Sequence, residues 1–462
     1  MQDLTQDTIA RNLVRTASFM LVTMLFQTLY ILVDLYFVGR LGKAAVAGVA
    51  VAGNLQFVVL AVTQVLGVGT TTLVAHAAGQ KDHPRAQLVF NQSQTLSMGV
   101  GFAFLVVLML LRTRYATLQG ADAETARAAA DYLLWFLPAL ALQFVIVAMA
   151  SALRGAGNFR PGMVVQTVTV IINIVLAPIL IFGWGTGVPL GVEGAALATF
   201  IGVLVGVVWL AALFVRRTAY LRFEPGLLRP RVAMWGALLK IGLPAGAEFA
   251  LTAVNLFIVY GITRPFGAEA QAGYGIGSRV LQASFMPVVA LAFAASPIAG
   301  QNFGAGLGDR VKAVFRMAAG MSAAVMAVTG VACFVAAAPL IRVFSADQTV
   351  IEVGSDYLRI VSWSFIASGV VFVASSMFQA MGNTMPALIA SLSRLLVFAV
   401  PAFLLSKVDG FHLHWIWYLS VAAVFLQLAA IWWLLQREFA TKLGTPRVAT
   451  GREPIVAAVD VM

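Results

Sequence analysis

About twelve apolar stretches, each long enough to cross a lipid bilayer, follow one another along this chain of 462 residues. Crossing the hydrocarbon core takes about 20 mostly apolar residues in a helix. The runs cover residues 13–38, 46–78, 88–111, 128–152, 161–183, 190–215, 236–262, 270–298, 312–341, 355–379, 385–406 and 414–436. Inside lipid each segment must satisfy its own backbone groups, so the runs are predicted to be helices. A membrane β-barrel would need short alternating segments instead. Charged residues make up 11% of the chain, against roughly 25% in an average soluble domain. The predicted fold class is therefore an all-α polytopic membrane protein with twelve transmembrane helices.

The net charge of +11 would suggest nucleic acid in a soluble protein. Here it fits Lys and Arg held in cytoplasmic loops, and no nucleic-acid partner is expected. If the N-terminus, the exits of the even-numbered helices and the C-terminus lie inside, most of the 30 Lys and Arg fall on that side. Both termini are thus expected in the cytoplasm. The stretch Met1 to Arg15 is polar and lacks the apolar core of a removable signal peptide. The one cysteine, Cys333, forms no intrachain disulfide. The four histidines show no metal-ligand spacing, and no cofactor is expected.

The longest polar break, Arg216 to Arg231, carries five arginines and two prolines. It divides the chain into an N-terminal six-helix lobe (1–215), a basic cytoplasmic linker (216–235), a C-terminal six-helix lobe (236–440) and a cytoplasmic tail (441–462). The halves repeat one another. Asp131-Tyr132-Leu133 returns as Asp356-Tyr357-Leu358, and Gly157-Asn158-x-x-Pro161 as Gly382-Asn383-x-x-Pro386, both 225 positions later. Ala78-Gly79-Gln80 returns as Ala299-Gly300-Gln301 at an offset of 221. Ordered matches of this kind indicate a duplicated six-helix unit. An even helix count makes the copies parallel repeats, two pseudo-symmetric bundles of the kind that hold a transported substrate.

Polar stripes interrupt the apolar runs. Thr23, Gln27, Tyr30 and Asp34 are spaced by 4, 3 and 4, which places them on one helical face. A charge at a helix centre costs about 2.5–3.5 kcal/mol on insertion scales. A stripe ending in a carboxylate points to a proton or cation site inside the bundle. The plainer alternative is a carboxylate at the outer interface beside Arg40 and Lys43. Helix 7 carries Glu248, Thr252 and Asn255, and the repeat pairs Gln27 with Glu248 and Asp34 with Asn255. Glu248 is a cavity residue or a solvated cap. Gln166, Thr169 and Asn173 share a face of helix 5, and Tyr132 and Thr199 are further candidates to line the first-half cavity. For these, plain interhelical hydrogen bonding is an equal alternative. Arg279 and Arg394 fall inside predicted spans, as structural partners of buried acceptors or as parts of a pathway; the structural role is favoured. Neither G-x-x-x-x-G-K-[ST], H-E-x-x-H nor G-x-S-x-G occurs, so no enzyme is expected.

Taken in order, several motifs resemble the multidrug and toxic compound extrusion (MATE) family over nearly the whole chain. They are Tyr30-x-x-x-Asp34 with Val38-Gly39-Arg40-Leu41-Gly42, Arg154-Gly155-x-Gly157-Asn158, Ile181-Phe182-Gly183, Gly242-Leu243-Pro244-x-x-x-Glu248, Gly275-Ile276-Gly277-Ser278-Arg279 and Gly300-Gln301-Asn302-x-Gly304-Ala305-Gly306. The resemblance implies a V-shaped pair of bundles in a bacterial inner membrane. It also implies a monomer that exports amphipathic, cationic organic compounds by alternating access against protons or sodium. In members similar to the DinF-type branch, the helix-1 acid is the coupling residue. That maps the role onto Asp34 with Tyr30 and Asn173, leaving Gln27, Tyr132, Gln166, Thr199, Glu248 and Asn255 as substrate-cavity candidates. A second acid of helix 5 is Ala177 here, a helix-1 proline is Phe19, and the NorM-type acids fall at Thr252 and Ser368. The reading leans to protons, with sodium possible at Asp34. The alternative function is a flippase for lipid or lipid-linked substrates.

Overall fold

The computed structural model describes residues 3–185, 187–216, 220–408 and 410–443. Linker residues 217–219 and the tail from residue 444 lie outside the described residues. Among the described residues, fourteen α-helices follow in order. In the first half they are α1 (Ile9–Gly39), α2 (Lys43–Gly79), α3 (His83–Gln119), α4 (Ala123–Gly155), α5 (Arg160–Phe182) and α6 (Gly191–Arg216). In the second half they are α7 (Val232–Thr263), α8 (Ala268–Gly304), α9 (Gly308–Val335), α10 (Ala337–Arg342), α11 (Gln348–Ser362), α12 (Phe365–Ala380), α13 (Met385–Leu405) and α14 (His414–Leu443). No strand occurs among the described residues. Among the described residues, eleven helices are long and apolar enough to cross a membrane, and α11 with α12 makes twelve spans when taken as one. The predicted all-α polytopic class is the observed one.

Local chemistry sets where helices begin. Asp82, Asp122 and Asp347 each accept a hydrogen bond from the backbone N–H three residues on, at 3.0, 2.7 and 3.0 Å. These bonds satisfy donors that a first turn otherwise leaves free.

Two predicted helices are broken. The run 312–341 stops at Val335 and restarts as α10, whose first turn holds Pro339. Proline has no N–H to continue the helical ladder but is accepted in a first turn. The run 355–379 bends by 61° between α11 and α12. There Ser362 and Ser364 donate to the Arg359 and Val361 carbonyls at 2.7 and 2.8 Å, and the backbone tightens to i→i−3 bonds at Trp363 and Ser364. Hydroxyls bonded back onto carbonyls of their own helix are a recognised cause of bends.

The chain forms two compact units. One comprises Phe19–Gly242; the other comprises Leu4–Ser18 and the chain from Leu243 onward. In the first, α4 packs against α2, α3 and α6. Backbones approach closely at small residues: a Cβ on Gly155 would lie 2.6 Å from the Thr71 carbonyl oxygen, and one on Gly48 2.8 Å from Ala128 Cβ. Small residues at helix crossings are how membrane bundles gain packing contact when lipid supplies no hydrophobic drive. In the second unit, α8 packs against α9, α11 and α12, and α13 against α14. Tyr274, Tyr357 and Trp417 form an aromatic cluster at its core, with ring centroids 4.8–5.5 Å apart.

Within the first unit, buried amides on α3 grip the segment that follows α6. Gln92 Nε2 donates to the Leu227 and Arg229 carbonyls at 2.6 and 2.7 Å, and Gln92 Oε1 accepts from Arg231 N at 2.8 Å. Asn91 pairs with Arg222 O and Glu224 N, Thr95 donates to Leu228 O, and Gln87 brackets Arg222. In the second unit, Gln301, Asn302 and Arg310 hold the backbone of Leu4 and Asp7 in a similar manner.

Candidate functional site

The stripe on α1 sorts by depth. Thr23 bonds back to Phe19 O at 2.8 Å and Gln27 is exposed, whereas Asp34 is only 7% exposed. Around Asp34, three other helices each supply one buried polar side chain: Tyr132 from α4, Asn173 from α5 and Thr199 from α6. The Thr199 hydroxyl is the hub. It lies 2.9 Å from the Tyr30 hydroxyl and accepts from Asn173 Nδ2 at 3.3 Å, with Tyr132 close beside it. Tyr132, itself 2% exposed, lies beside the Asp34 carboxyl. Tyr30, Asp34, Tyr132, Asn173 and Thr199 thus meet in one cluster. Gln27 and the half-buried Gln166 hydrogen-bond none of its members.

Two acceptors of the cluster lack donors. Asp34 Oδ1 and Asn173 Oδ1 are buried with no hydrogen-bond partner. Burying a polar atom unpaired costs roughly 1–3 kcal/mol, more for a charged group. Neither the Arg222–Glu224 nor the Lys442–Glu438 ion pair involves Asp34. Arg40, close in sequence, sets its guanidinium over the Tyr36 ring at 5.1 Å. The Ala177 side chain, where a second acid would offer another anion, is fully buried. No grouping of three or more His, Cys, Asp or Glu suited to a metal occurs among the described residues.

Glu248 and Asn255 line a separate cavity of about 220 Å³ inside the second unit. Glu248 Oε1 accepts from Ser375 Oγ at 2.7 Å and Ser391 Oγ at 3.1 Å. Ser391 accepts from Gln427 Nε2 at 3.1 Å, and Gln427 Oε1 accepts from Arg394 Nη1 at 3.4 Å. Arg394 therefore sits in a polar network, while Arg279 is exposed. Ser375, Ser391 and Gln427 were not singled out in the sequence. The available signal was the spacing of Ser391 and Arg394, three apart on one face of a largely apolar helix.

The MatE family model matches residues 20–179 and again residues 244–404. The probable multidrug resistance protein YoeA of Bacillus subtilis is 27% identical over 418 residues, covering 89% of this chain and 90% of its own. The multidrug export protein MepA of Staphylococcus haemolyticus is 27% identical over 395 residues, covering 85% and 86%. A crystal structure of MATE in the bent conformation overlays with a TM-score of 0.89 at 21% identity, covering 96% of this chain and 98% of the other. Two matches of one model, each on one half of the chain and each falling on membrane helices, place the protein: it belongs to the MatE family of multidrug efflux transporters, and it is a transporter and not an enzyme.

Proposed function

We propose that this protein is a secondary antiporter of a bacterial inner membrane that exports amphipathic, cationic compounds against protons by alternating access. Asp34 is the coupling group. The observation that supports this is the pair of buried, unpartnered acceptors, Asp34 Oδ1 and Asn173 Oδ1, inside a shell of hydroxyls. Such a pocket accepts a proton on its carboxylate or a small cation between its oxygens. With Asp34 ionised, the first unit offers a counter-charge to a cationic substrate. Protonation from outside removes that charge and releases the substrate. Tyr132 lies beside the carboxylate, Thr199 ties Tyr30 and Asn173 into the same cluster, and Asn173 shares whatever Asp34 binds. A ligand shifts a two-state equilibrium only by its differential affinity for the states, and each tenfold difference is worth about 1.4 kcal/mol.

The test is efflux of a cationic dye from liposomes under separately imposed pH and sodium gradients. Wild type should respond to the pH gradient. Asp34→Asn should lower gradient-driven efflux by about tenfold or more, the scale at which one lost charge interaction acts. Gradient-dependent efflux at the wild-type level in Asp34→Asn would overturn the coupling role. A response to sodium alone would replace the proton with sodium.

A further inference from the structure

Arg394 has little to hold it. It lies on α13, and among the described residues its only hydrogen-bond partner is Gln427, at 3.4 Å. A guanidinium carries five N–H donors in a rigid fork, and a charge left unpaired away from water is costly. Glu248 lines the same cavity but does not close the pair. Its Oε1 is taken by two serine hydroxyls, and no Arg394 nitrogen comes within 4.0 Å of it. The cavity thus presents one negative and one positive group to a shared space, with no other charged side chain in its lining.

The internal repeat sharpens this. Arg394 stands where the first half has Thr169, and Glu248 where it has Gln27. Both first-half counterparts are neutral, so the two charges are particular to the second unit. The remaining wall includes three rings, Phe249, Phe293 and Phe372. A site with one charge of each sign and no net charge favours a ligand built the same way, because a singly charged ligand would satisfy one group and oppose the other.

We propose that the cavity of the second unit binds a compact aromatic zwitterion of α-amino-acid type. Its ammonium faces Glu248, its carboxylate pairs with the Arg394 fork, and its ring lies against the phenylalanines. An α-amino acid carries both charges on one carbon, which suits two protein charges that share a cavity without touching. Arg is the residue best suited to a planar carboxylate, because its fork can donate two parallel hydrogen bonds. This site is distinct from the Asp34 cluster and needs no ion gradient to fill.

The experiment is equilibrium binding of tritiated L-phenylalanine to the full chain in lipid nanodiscs, with empty nanodiscs as the blank. Phenethylamine, which lacks the carboxylate, and 3-phenylpropionate, which lacks the amine, serve as competitors. Wild type should bind phenylalanine saturably and each competitor about tenfold more weakly. Arg394→Gln should lose phenylalanine but keep phenethylamine. Glu248→Gln should lose phenylalanine but keep 3-phenylpropionate. Each variant then carries its own evidence of folding. Thr252→Trp, which fills the cavity and leaves both charges, should lose all three. The proposal is overturned if wild type shows no saturable binding, if the three ligands compete equally, or if either charge variant binds phenylalanine as wild type does.

Discussion

A single hydroxyl, that of Thr199, connects α1 and α5 to α6 through Tyr30 and Asn173. At this scale the physics is a matter of who donates to whom. Asp122 shows it outside the membrane. The Thr125 N–H bond and its hydroxyl hold the Asp122 carboxyl below the ordinary carboxylate range. A carboxyl with a lowered folded-state pKa stabilises the fold fully above its unfolded value, about 3.9, and loses that contribution as the pH falls through the folded value. Asp122→Asn keeps a capping side chain but removes the titration. The acid-side fall in melting temperature should therefore be shallower in the variant than in wild type; equal slopes in detergent-solubilised protein would count against this. Asp34 was legible in the sequence because a charge inside an apolar run is rare. The serines around Glu248 were not. Most helix hydroxyls here bond back to their own helix, as Ser18 and Thr329 do, and residue type alone does not mark the few that reach across. Arg394 stands out in the sequence as a charge within a span, but its cavity exists only where α7, α8, α12, α13 and α14 come together.

Among the elements, α3 has a role its sequence hides. Gln87, Asn91, Gln92 and Thr95 read as polar residues in a weakly apolar start, and they prove to be a ladder of side chains clamping the backbone of residues 222–231. Gln92 is fully buried and makes three of these bonds. Gln92→Ala would strand the Leu227 and Arg229 carbonyls and the Arg231 N–H, at roughly 1–3 kcal/mol for a buried group left unsatisfied. Amide exchange across Leu227–Arg231 should accelerate while the core of α4 stays protected; unchanged exchange would mean that water replaces the clamp without loss. The broken helices lie beyond what apolar runs encode. Hydropathy is blind to a kink, since it sums residues without regard to backbone bonds. Pro339 did leave a readable mark, whereas the Ser362–Ser364 bend depends on hydroxyl geometry that no pattern of apolar residues encodes.

For the whole molecule, the repeat carries the most information, because ordered matches such as Gly157-Asn158 with Gly382-Asn383 need no structure to be seen, and the family model matches once on each half. Sidedness is a proposal at this scale, and it can be checked chemically. The native Cys333 is 3% exposed, so an added cysteine reports alone. Gly226→Cys, on the exposed segment after α6 with open space for a side chain, should react with an impermeant maleimide only in inside-out vesicles. Val188→Cys, between α5 and α6, should react in intact cells. The opposite pattern would invert the topology. The division into units has a further reach. It crosses the chain inside α1, after Ser18, and inside α7, after Gly242. Residues 4–18 thus cluster with the second half and residues 232–242 with the first. In the language of oligomers, the two halves have exchanged arms, as the partners of a domain-swapped dimer do, only here within one polypeptide. A gene cut at the segment between α6 and α7 would therefore not yield two lobes. Each product would carry its partner's arm and lack its own, and the compact units would re-form only where both products meet.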